Sequence, residues 1–341
     1  MRQFIREDLQ GISPYSSARD EFSGDAAIWL DANENSSATD YNRYPDPLQR
    51  KLKRTIAGIK GIGEENLFIG NGSDEVLDLL LRLTCRPFRD TVAFFDPSYG
   101  MYEVLARING LNVRRIPLDS QFEPDWLTLP GEIAGTRMLI ICNPNNPTGN
   151  LFSREEITAV LAKYGGIVVV DEAYIDFSDQ QSVSDLVDDF PNLVVVQTLS
   201  KAYGMAGLRV GMAIAGTEWI TALNTIKPPY NVSSLVQETA LNLLETTDWE
   251  SIIPTIISER RRVFQALSAQ SEVVSVFPSE ANFILFRVAD ADRLYHYLAE
   301  AGVVVRNRSS QYNCSSTLRV TIGTEAENNR FLTLFKQFYN D

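Results

Sequence analysis

Short, continuous apolar segments rich in β-branched residues alternate with helical patterns along the first two-thirds of this 341-residue chain. Such segments are typical of strands covered on both faces, which leave no room for a solvent-facing polar side. Helices placed between them predict a mostly parallel sheet flanked by helices, an α/β fold. The predicted strands are residues 66–69, 91–95, 112–116, 138–141, 167–170 and 193–196.

The pattern changes after Lys227, where two consecutive prolines interrupt the chain. A long helical region is predicted from there to about residue 269, because the two prolines mark a boundary and helical periodicity resumes beyond them. Further strands are predicted at residues 273–277, 282–287, 303–306 and 317–321. The sequence therefore predicts three parts: an N-terminal arm (1–28), a large α/β domain (29–228) and a smaller α+β domain (229–341).

Composition and charge exclude several classes of function. The formal net charge is −13, which disfavours nucleic acid and acidic membranes as partners. No apolar signal core or membrane-spanning segment is predicted. Cys85, Cys142 and Cys314 lack the spacing of metal ligands and suggest reduced thiols in the cytoplasm. The single histidine, His296, falls in a helical pattern, so a histidine-rich metal site is excluded.

Lys201 follows the predicted buried strand 193–196 and is surrounded by hydroxyls, glycines and Arg209. A surface lysine is the ordinary alternative. A partly desolvated amine has a lowered pKa, however, and the neighbouring residues suit a phosphate. Both features are what a Schiff base to pyridoxal 5'-phosphate (PLP) requires. We therefore predict that Lys201 binds PLP covalently.

Asp171 ends another predicted buried strand, residues 167–170, and Tyr174 lies three residues further on. Asp171 either caps the next helix or pairs with a buried cation. In a PLP enzyme that cation is the protonated pyridine nitrogen, which allows the ring to accept electrons. Tyr174 would donate a hydrogen bond to the ring hydroxylate.

The segment 142–149, Cys-Asn-Pro-Asn-Asn-Pro-Thr-Gly, follows the predicted strand 138–141. Two prolines and a glycine predict a rigid turn at the carboxyl edge of the sheet, where α/β folds bind ligands. An ordinary strand–helix turn would explain the prolines alone. The order of this turn, Asp171 and Lys201 along the chain favours a ligand site at the turn.

Gly72, Ser73 and Asp74 open a helical pattern. Free N–H groups at a helix N-terminus suit a phosphate, and the Ser73 hydroxyl adds another donor. Simple N-capping by Ser73 or Asp74 is the alternative, and the local sequence does not decide between them.

With these motifs in this order, the chain resembles fold-type I PLP-dependent aminotransferases, and within them the histidinol-phosphate aminotransferase family. The resemblance covers residues 15–323. It rests on these further strings: Ser13-Pro14-Tyr15, Asn33-Glu34, Asn42-Arg43-Tyr44-Pro45, Gly72-Ser73-Asp74-Glu75, Pro97-Ser98-Tyr99-Gly100-Met101-Tyr102 and Leu318-Arg319-Val320-Thr321-Ile322-Gly323.

The resemblance implies further roles around the cofactor. Tyr99 would stack on the PLP ring, and Arg209 with Thr198 or Ser200 would complete the phosphate site. Tyr44 would reach the cofactor phosphate of a neighbouring subunit. A homodimer with shared active sites is therefore expected.

The resemblance also implies residues that bind the substrate. Arg319 would bind a carboxylate or the equivalent phosphate-bearing group. Arg306, thirteen residues earlier, would bind the substrate phosphate together with Tyr15, while Arg308 lies nearby and competes for that role. Asn33 is included in this site by the same resemblance.

The expected function is transfer of an amino group between histidinol phosphate and 2-oxoglutarate in histidine biosynthesis. Lys201, Asp171 and Tyr174 would be the catalytic residues, and the resemblance implies Asn146 as the cofactor contact of the turn 142–149. Three alternatives stay open: an aromatic aminotransferase, a threonine-phosphate decarboxylase of the same fold, and a PLP-binding protein without turnover. Product analysis separates the first two from the expected reaction.

Overall fold

The structure is a computed structural model that describes residues 2–14, 28–37 and 39–340. Tyr15 and much of the predicted N-terminal arm lie outside the described residues. The first residues of the arm pack on the body of the protein. Phe4 is buried against Trp219, with ring centroids 6.0 Å apart, and the Arg6 N–H donates to the Leu83 carbonyl.

Within the described residues, the predicted strands of the first two-thirds belong to one seven-stranded sheet. The strands are β1 (Leu67–Asn71), β2 (Thr91–Asp96), β3 (Asn112–Pro117), β4 (Met138–Cys142), β5 (Ile167–Asp171), β6 (Leu193–Thr198) and β7 (Val210–Ala215). Their order is β1-β7-β6-β5-β4-β2-β3. The pairs from β6 through β5, β4 and β2 to β3 are all parallel, so the predicted mostly parallel α/β sheet is confirmed.

Strand β7 was not predicted from the sequence. It runs antiparallel to both of its neighbours, β1 and β6. It contains Gly211 and two alanines, which have low strand propensity and weaken the β-branched signal. Its pairing on both sides and complete burial compensate for that weakness.

Both faces of the large sheet are covered, which explains the continuous apolar strands. Val168 and Val170 of β5 belong to the core on one face, whereas Ile167 and Val169 belong to the core on the other. Alternate residues of a strand point to opposite faces, so a strand buried on both sides is apolar throughout.

The α-helices of the described residues include those that cover this sheet and those of the C-terminal third. They are Arg50–Lys60, Ser73–Thr84, Met101–Ile108, Leu129–Glu132, Arg154–Lys163, Thr217–Ile226, Ser234–Thr246, Trp249–Ser268, Ala291–Glu300 and Glu325–Asn340. None of the helices in the described part of the chain has the length and apolar character needed to cross a membrane.

A second, antiparallel sheet follows in the C-terminal third. Its strands are β8 (Val273–Val276), β9 (Phe283–Val288), β10 (Arg306–Asn307) and β11 (Thr317–Thr321), in the order β10-β11-β9-β8. The prediction of a strand over 303–306 was wrong in its bounds, because only the last of these residues pairs in the sheet. Val304 is instead 78% exposed.

The connection between the two sheets is helical, as predicted, but it consists of two helices. The first, Ser234–Thr246, packs against the helix Arg50–Lys60 of the large sheet's layer. The second, Trp249–Ser268, contributes to the large core near its start and to the small core near its end. A domain boundary at residue 228/229 stays a prediction.

Candidate active site

A pocket of about 190 Å³ opens at the carboxyl edge of the large sheet. Cys142, Asp171 and Thr198 are the last residues of the adjacent strands β4, β5 and β6, so the parallel strands deliver all three side chains to one edge. The pocket is lined by Ser73, Asp74, Tyr99, Cys142, Asn146, Asp171, Ala173, Tyr174, Thr198, Ser200, Lys201, Arg209, Arg308 and Arg319. Most of the predicted cofactor residues therefore meet in one place.

The end of the pocket at Gly72 and Ser73 is shaped for an anion. The helix Ser73–Thr84 begins after Gly72 without a side-chain cap, which excludes the N-capping alternative and leaves its first N–H groups available. Gly72 has φ = +81°, and a Cβ there would lie 2.5 Å from Nη2 of Arg209. A Cβ on Gly211 of β7 would lie 2.1 Å from the Ser73 nitrogen. Glycine at both positions allows the backbone to approach this closely.

Side chains around this helix end form a connected polar group. Arg209 pairs with Asp74 at 3.5 Å, and the Tyr99 hydroxyl donates to Asp74 at 3.2 Å. The Thr198 hydroxyl donates to the Ser200 hydroxyl at 3.0 Å. One guanidinium, several hydroxyls and free backbone N–H groups are a suitable donor set for a phosphate.

Asp171 is buried, and its carboxylate accepts two hydrogen bonds. The Tyr102 hydroxyl donates to Oδ2 at 2.7 Å, and the Ala173 N–H donates to Oδ1 at 3.1 Å. Burial raises the pKa of Asp171 to about 6, although both hydrogen bonds oppose that rise. Asp171 forms no ion pair with any residue between 28 and 340 that the structure describes. A cation bound beside it would supply the missing charge.

Lys201 is half-buried, as the sequence predicted, and its Nζ lies 5.5 Å from the centre of the Tyr174 ring. Burial lowers the pKa of Lys201, and the positive charge of Arg319 lowers it further. Asp171 and Asp74 act in the opposite direction. A lower pKa increases the fraction of neutral amine, which is the form that attacks a carbonyl or accepts a proton.

Asn146 connects the two ends of the pocket. Its Nδ2 donates to the Tyr174 hydroxyl at 3.3 Å, and its Oδ1 accepts from Nη1 of Arg319. Asn143 and Asn145 bond instead to the backbone of Phe152 and Pro97 and hold the turn in shape. The segment 142–149 therefore contains residues that fix its conformation, Asn143 and Asn145, and two that line the pocket, Cys142 and Asn146.

Among the described residues, four predicted residues do not line the pocket, and Gly72 is one of them, although it directly precedes Ser73. The other three lie further away. Tyr44 is 49% exposed and stacks on Tyr230, with ring centroids 4.4 Å apart. Asn33 is also exposed and lines the same surface groove as Tyr44. Arg306 is exposed and lies opposite Arg319 across the β10–β11 ladder. The roles assigned to these residues stay predictions.

The sequence reasoning missed Tyr102 and Cys142. Tyr102 lies at the start of the helix Met101–Ile108, and its buried ring packs edge-on against Tyr99 with centroids 5.5 Å apart. It does not line the pocket and reaches it only through its hydrogen bond to Asp171. Cys142 ends its strand as Asp171 does, and this shared position was the available signal.

The fold and the residues at this edge of the sheet define a class of enzyme, and comparison with known proteins agrees. The family model "Aminotransferase class I and II" matches residues 19–335, and the chain belongs to that family.

Among curated relatives, the chain is 48% identical to the histidinol-phosphate aminotransferase of Parabacteroides distasonis over 98% of both chains. It is 45% identical to that of Cytophaga hutchinsonii over 98% of both chains. The crystal structure of the histidinol-phosphate aminotransferase from Clostridium acetobutylicum superposes with a TM-score of 0.81 at 26% identity, covering 88% of this chain and 92% of that one.

Proposed function

We propose that this protein is a PLP-dependent aminotransferase that exchanges an amino group between histidinol phosphate and 2-oxoglutarate in histidine biosynthesis. The observation that carries the proposal is one pocket that holds a half-buried lysine, a buried aspartate and three arginines. The full-length similarity to histidinol-phosphate aminotransferases supports the substrate.

The residues of the pocket fit PLP. Arg209, Ser73, Thr198 and Ser200 would hold its phosphate at the N-terminus of the helix Ser73–Thr84, where Gly72 leaves room for it. Asp171 would keep the pyridine nitrogen protonated. Burial raises the pKa of Asp171 because it disfavours the charged carboxylate, and a cationic partner would stabilise that charge. Asn146 and Tyr174 would contact the ring hydroxyl, and Tyr99 would lie against the ring.

PLP, when bound, accepts the electron pair that is left on the substrate when the α-proton departs. The chain itself must move that proton, and Lys201 is the group suited to do so. Burial lowers the pKa of its amine and so increases the neutral fraction, and Lys201 lies in the same pocket as Asp171. The amine would take the proton from the substrate α-carbon and hold it for delivery within the pocket.

The anionic ends of both substrates would be bound by arginine. Histidinol phosphate has a phosphate and no carboxylate, whereas glutamate has two carboxylates and no phosphate. Arg319 lies in the pocket with Nε buried and without a hydrogen-bond partner among the described residues. A planar guanidinium can bind either a carboxylate or a phosphate by donating two parallel hydrogen bonds.

A substrate panel tests the proposal. We expect glutamate to form from 2-oxoglutarate with histidinol phosphate as donor. Its kcat/KM should exceed that of unphosphorylated histidinol and of phenylalanine, because only the phosphate engages the arginines with a double charge. Preference for phenylalanine would support an aromatic aminotransferase instead. Release of CO2 from threonine phosphate would support a decarboxylase.

We also propose a homodimer with shared sites, located in the cytoplasm. Tyr44 lies on the surface with other exposed apolar side chains, including Ile28, Leu30 and Tyr41, and a second subunit would cover them. Cys85, Cys142 and Cys314 are all buried as free thiols, in keeping with a reducing compartment.

Mixing two inactive variants tests the shared site. Tyr44→Ala and Lys201→Ala should each impair turnover, and a mixture should regain part of it, because one site in each mixed dimer then has both residues. After complete random exchange of equal amounts, the recovered activity should approach about one quarter of the wild-type value, since half of the dimers are mixed and each has one intact site. Exchange is verified with differently tagged subunits. No recovery after verified exchange would contradict the shared site.

A further inference from the structure

Lys227 is a buried lysine outside the pocket, and its side chain joins two segments that are distant in sequence. The residue is only 6% exposed. Its Nζ donates to the Pro47 carbonyl at 2.7 Å, to the Pro229 carbonyl at 2.8 Å and to Oδ1 of Asn231 at 3.1 Å. The amine therefore ties the segment 44–47 to the segment 228–231.

The prolines of both segments explain why a side chain makes this link. A proline has no N–H group, so Pro47, Pro228 and Pro229 can offer only their carbonyls to hydrogen bonds. A donor outside both backbones has to satisfy these carbonyls where they are buried. An ammonium has three N–H donors and no acceptor, which suits it to several carbonyls at once. Gln49, also buried, adds a donor, because its Nε2 bonds the Pro47 carbonyl at 2.8 Å.

Tyr44 and Tyr230 are carried by the two segments that Lys227 joins. Their rings stack with an angle of 15° between the ring planes. The Glu34 carboxylate accepts a hydrogen bond from the Tyr44 N–H at 2.7 Å, which fixes the backbone at this position. An exposed tyrosine that is already ordered loses little further conformational entropy when another molecule binds it. Tyr44 is therefore preorganised for contact with a second chain.

The same cluster reaches the pocket of its own subunit, but less directly. Nδ2 of Asn231 donates to Oε2 of Glu75 at 2.8 Å. Glu75 lies in the first turn of the helix Ser73–Thr84, whose N-terminus forms the proposed phosphate site. Lys227 acts on this helix only through Asn231, whereas it bonds the segment 44–47 itself. Its stronger effect should therefore fall on that segment.

We propose that Lys227 is a positioning residue for the cofactor site of the neighbouring subunit. Its amine holds the segment 44–47 against the segment 228–231, so that Tyr44 is presented to a second copy of this chain. The inference rests on the shared site proposed above, in which Tyr44 contacts the cofactor phosphate of the partner. Loss of Lys227 should then weaken PLP binding in the partner subunit more than in its own.

The test measures how much PLP borohydride fixes to Lys201 at a series of free PLP concentrations set by dialysis. Lys227→Met has a similar length without the donors and should weaken PLP affinity by about three- to ten-fold, the loss of one hydrogen bond. Tyr44→Ala should weaken it by about ten- to a hundred-fold, because a contact to the charged phosphate is lost. Lys163→Met, which changes an exposed lysine at the end of the helix Arg154–Lys163, is the matched control and should leave the affinity unchanged.

Mixing with Lys201→Ala subunits shows in which subunit Lys227 acts. In about tenfold excess of Lys201→Ala, nearly every Lys227→Met subunit pairs with a chain whose Lys227 and Tyr44 are intact. Only sites with Lys201 are counted, and each of these now receives an intact Tyr44. Their PLP affinity should return to the wild-type value once subunit exchange is verified. A residue that acts only within its own subunit would leave the affinity as weak as before mixing.

Two further variants test whether Lys227 acts through Tyr44. A chain with both Tyr44→Ala and Lys227→Met should bind PLP at most about twofold more weakly than Tyr44→Ala alone, because the two changes remove the same contact. Lys227→Gln keeps N–H donors on a shorter side chain and should fall between Lys227→Met and the wild type. It carries the same mixing test if Lys227→Met does not fold.

The possible failures are distinguishable. If Tyr44→Ala recovers on mixing and Lys227→Met does not, the inference is overturned and the shared site stands. If Tyr44→Ala does not recover either, the shared site itself is contradicted. A folded Lys227→Met protein with wild-type PLP affinity would also overturn the inference.

Discussion

Lys201→Ala should abolish turnover while the protein stays folded and still takes up PLP. Removal of the group that moves the proton should cost about 10²–10⁴-fold or more in rate. The side chain is only partly buried and forms no ion pair in the described part of the chain, so its loss should leave the fold intact. The measurement is the rate of glutamate formation at saturating substrate, together with the cofactor absorbance of the purified variant.

Chemical labelling separates a covalent role of Lys201 from a structural one. Borohydride reduction of the wild-type protein should fix PLP to the peptide that contains Lys201, and the variant should release all of its PLP on denaturation. Added methylamine should restore a small part of the activity of Lys201→Ala if the missing function is proton transfer. Lys336→Ala, which changes an exposed lysine on the helix Glu325–Asn340, is the control and should keep full activity. An active Lys201→Ala protein would refute the mechanism.

Asp171→Asn should give the second large effect, a loss of activity combined with a gain of stability in the cofactor-free protein. Asparagine keeps the shape, with its amide oxygen accepting from the Ala173 N–H and its amide nitrogen donating to the Tyr102 hydroxyl oxygen, but it cannot hold a proton on the pyridine nitrogen by charge. Loss of that charge-assisted bond should slow proton abstraction by about ten- to a hundred-fold, the equivalent of about 1.5–3 kcal/mol. Single-turnover kinetics measure this step directly, and an unchanged rate would count against the role of Asp171.

The stability effect follows from the raised pKa. In the cofactor-free protein the carboxyl of Asp171 has a pKa of about 6, against 3.8 in the unfolded chain. Between these values the folded state binds more protons, so the contribution of Asp171 to stability is largest below pH 4 and is lost as pH rises through 6. At pH 8 the asparagine variant should therefore be more stable than the wild type by about 1–3 kcal/mol.

Urea unfolding of the cofactor-free proteins between pH 5 and pH 8 checks the direction. The difference between the variant and the wild type should shrink as pH falls, and bound PLP should reverse it at pH 8, because only the aspartate gains a cationic partner. A variant that is less stable at every pH would show that burial does not disfavour the charged form of Asp171.

The positions of Lys201 and Asp171 at the pocket could be read from the sequence. Both residues follow short apolar segments that are buried on both faces, and strands of this kind run parallel and end at the same edge of a sheet. The apolar pattern therefore determined which polar side chains meet, without any knowledge of the packing. The same reasoning found the turn 142–149, because it follows a strand of the same type, whereas the choice of Asn146 within it came from the family resemblance.

Residues whose role depends on contacts distant in sequence were decided only by the tertiary structure. Tyr102 became a partner of Asp171, 69 positions away, through the packing of its helix on the sheet. Strand β7 forms antiparallel backbone hydrogen bonds with β1 on one side and β6 on the other. This pairing makes it a strand, although several of its residues are weak strand formers.

The placement of Arg306 outside the pocket and of Arg308 in its lining shows the same division. The two residues are alike in type and close in sequence, so composition and spacing cannot separate them. Their difference arises from the ladder with β11 and from the loop that Asn313 ties to the Leu118 carbonyl, 195 residues away. Local apolar periodicity determined where the strands of this protein end, whereas long-range hydrogen bonds and packing decided which side chains beyond those ends enter the pocket.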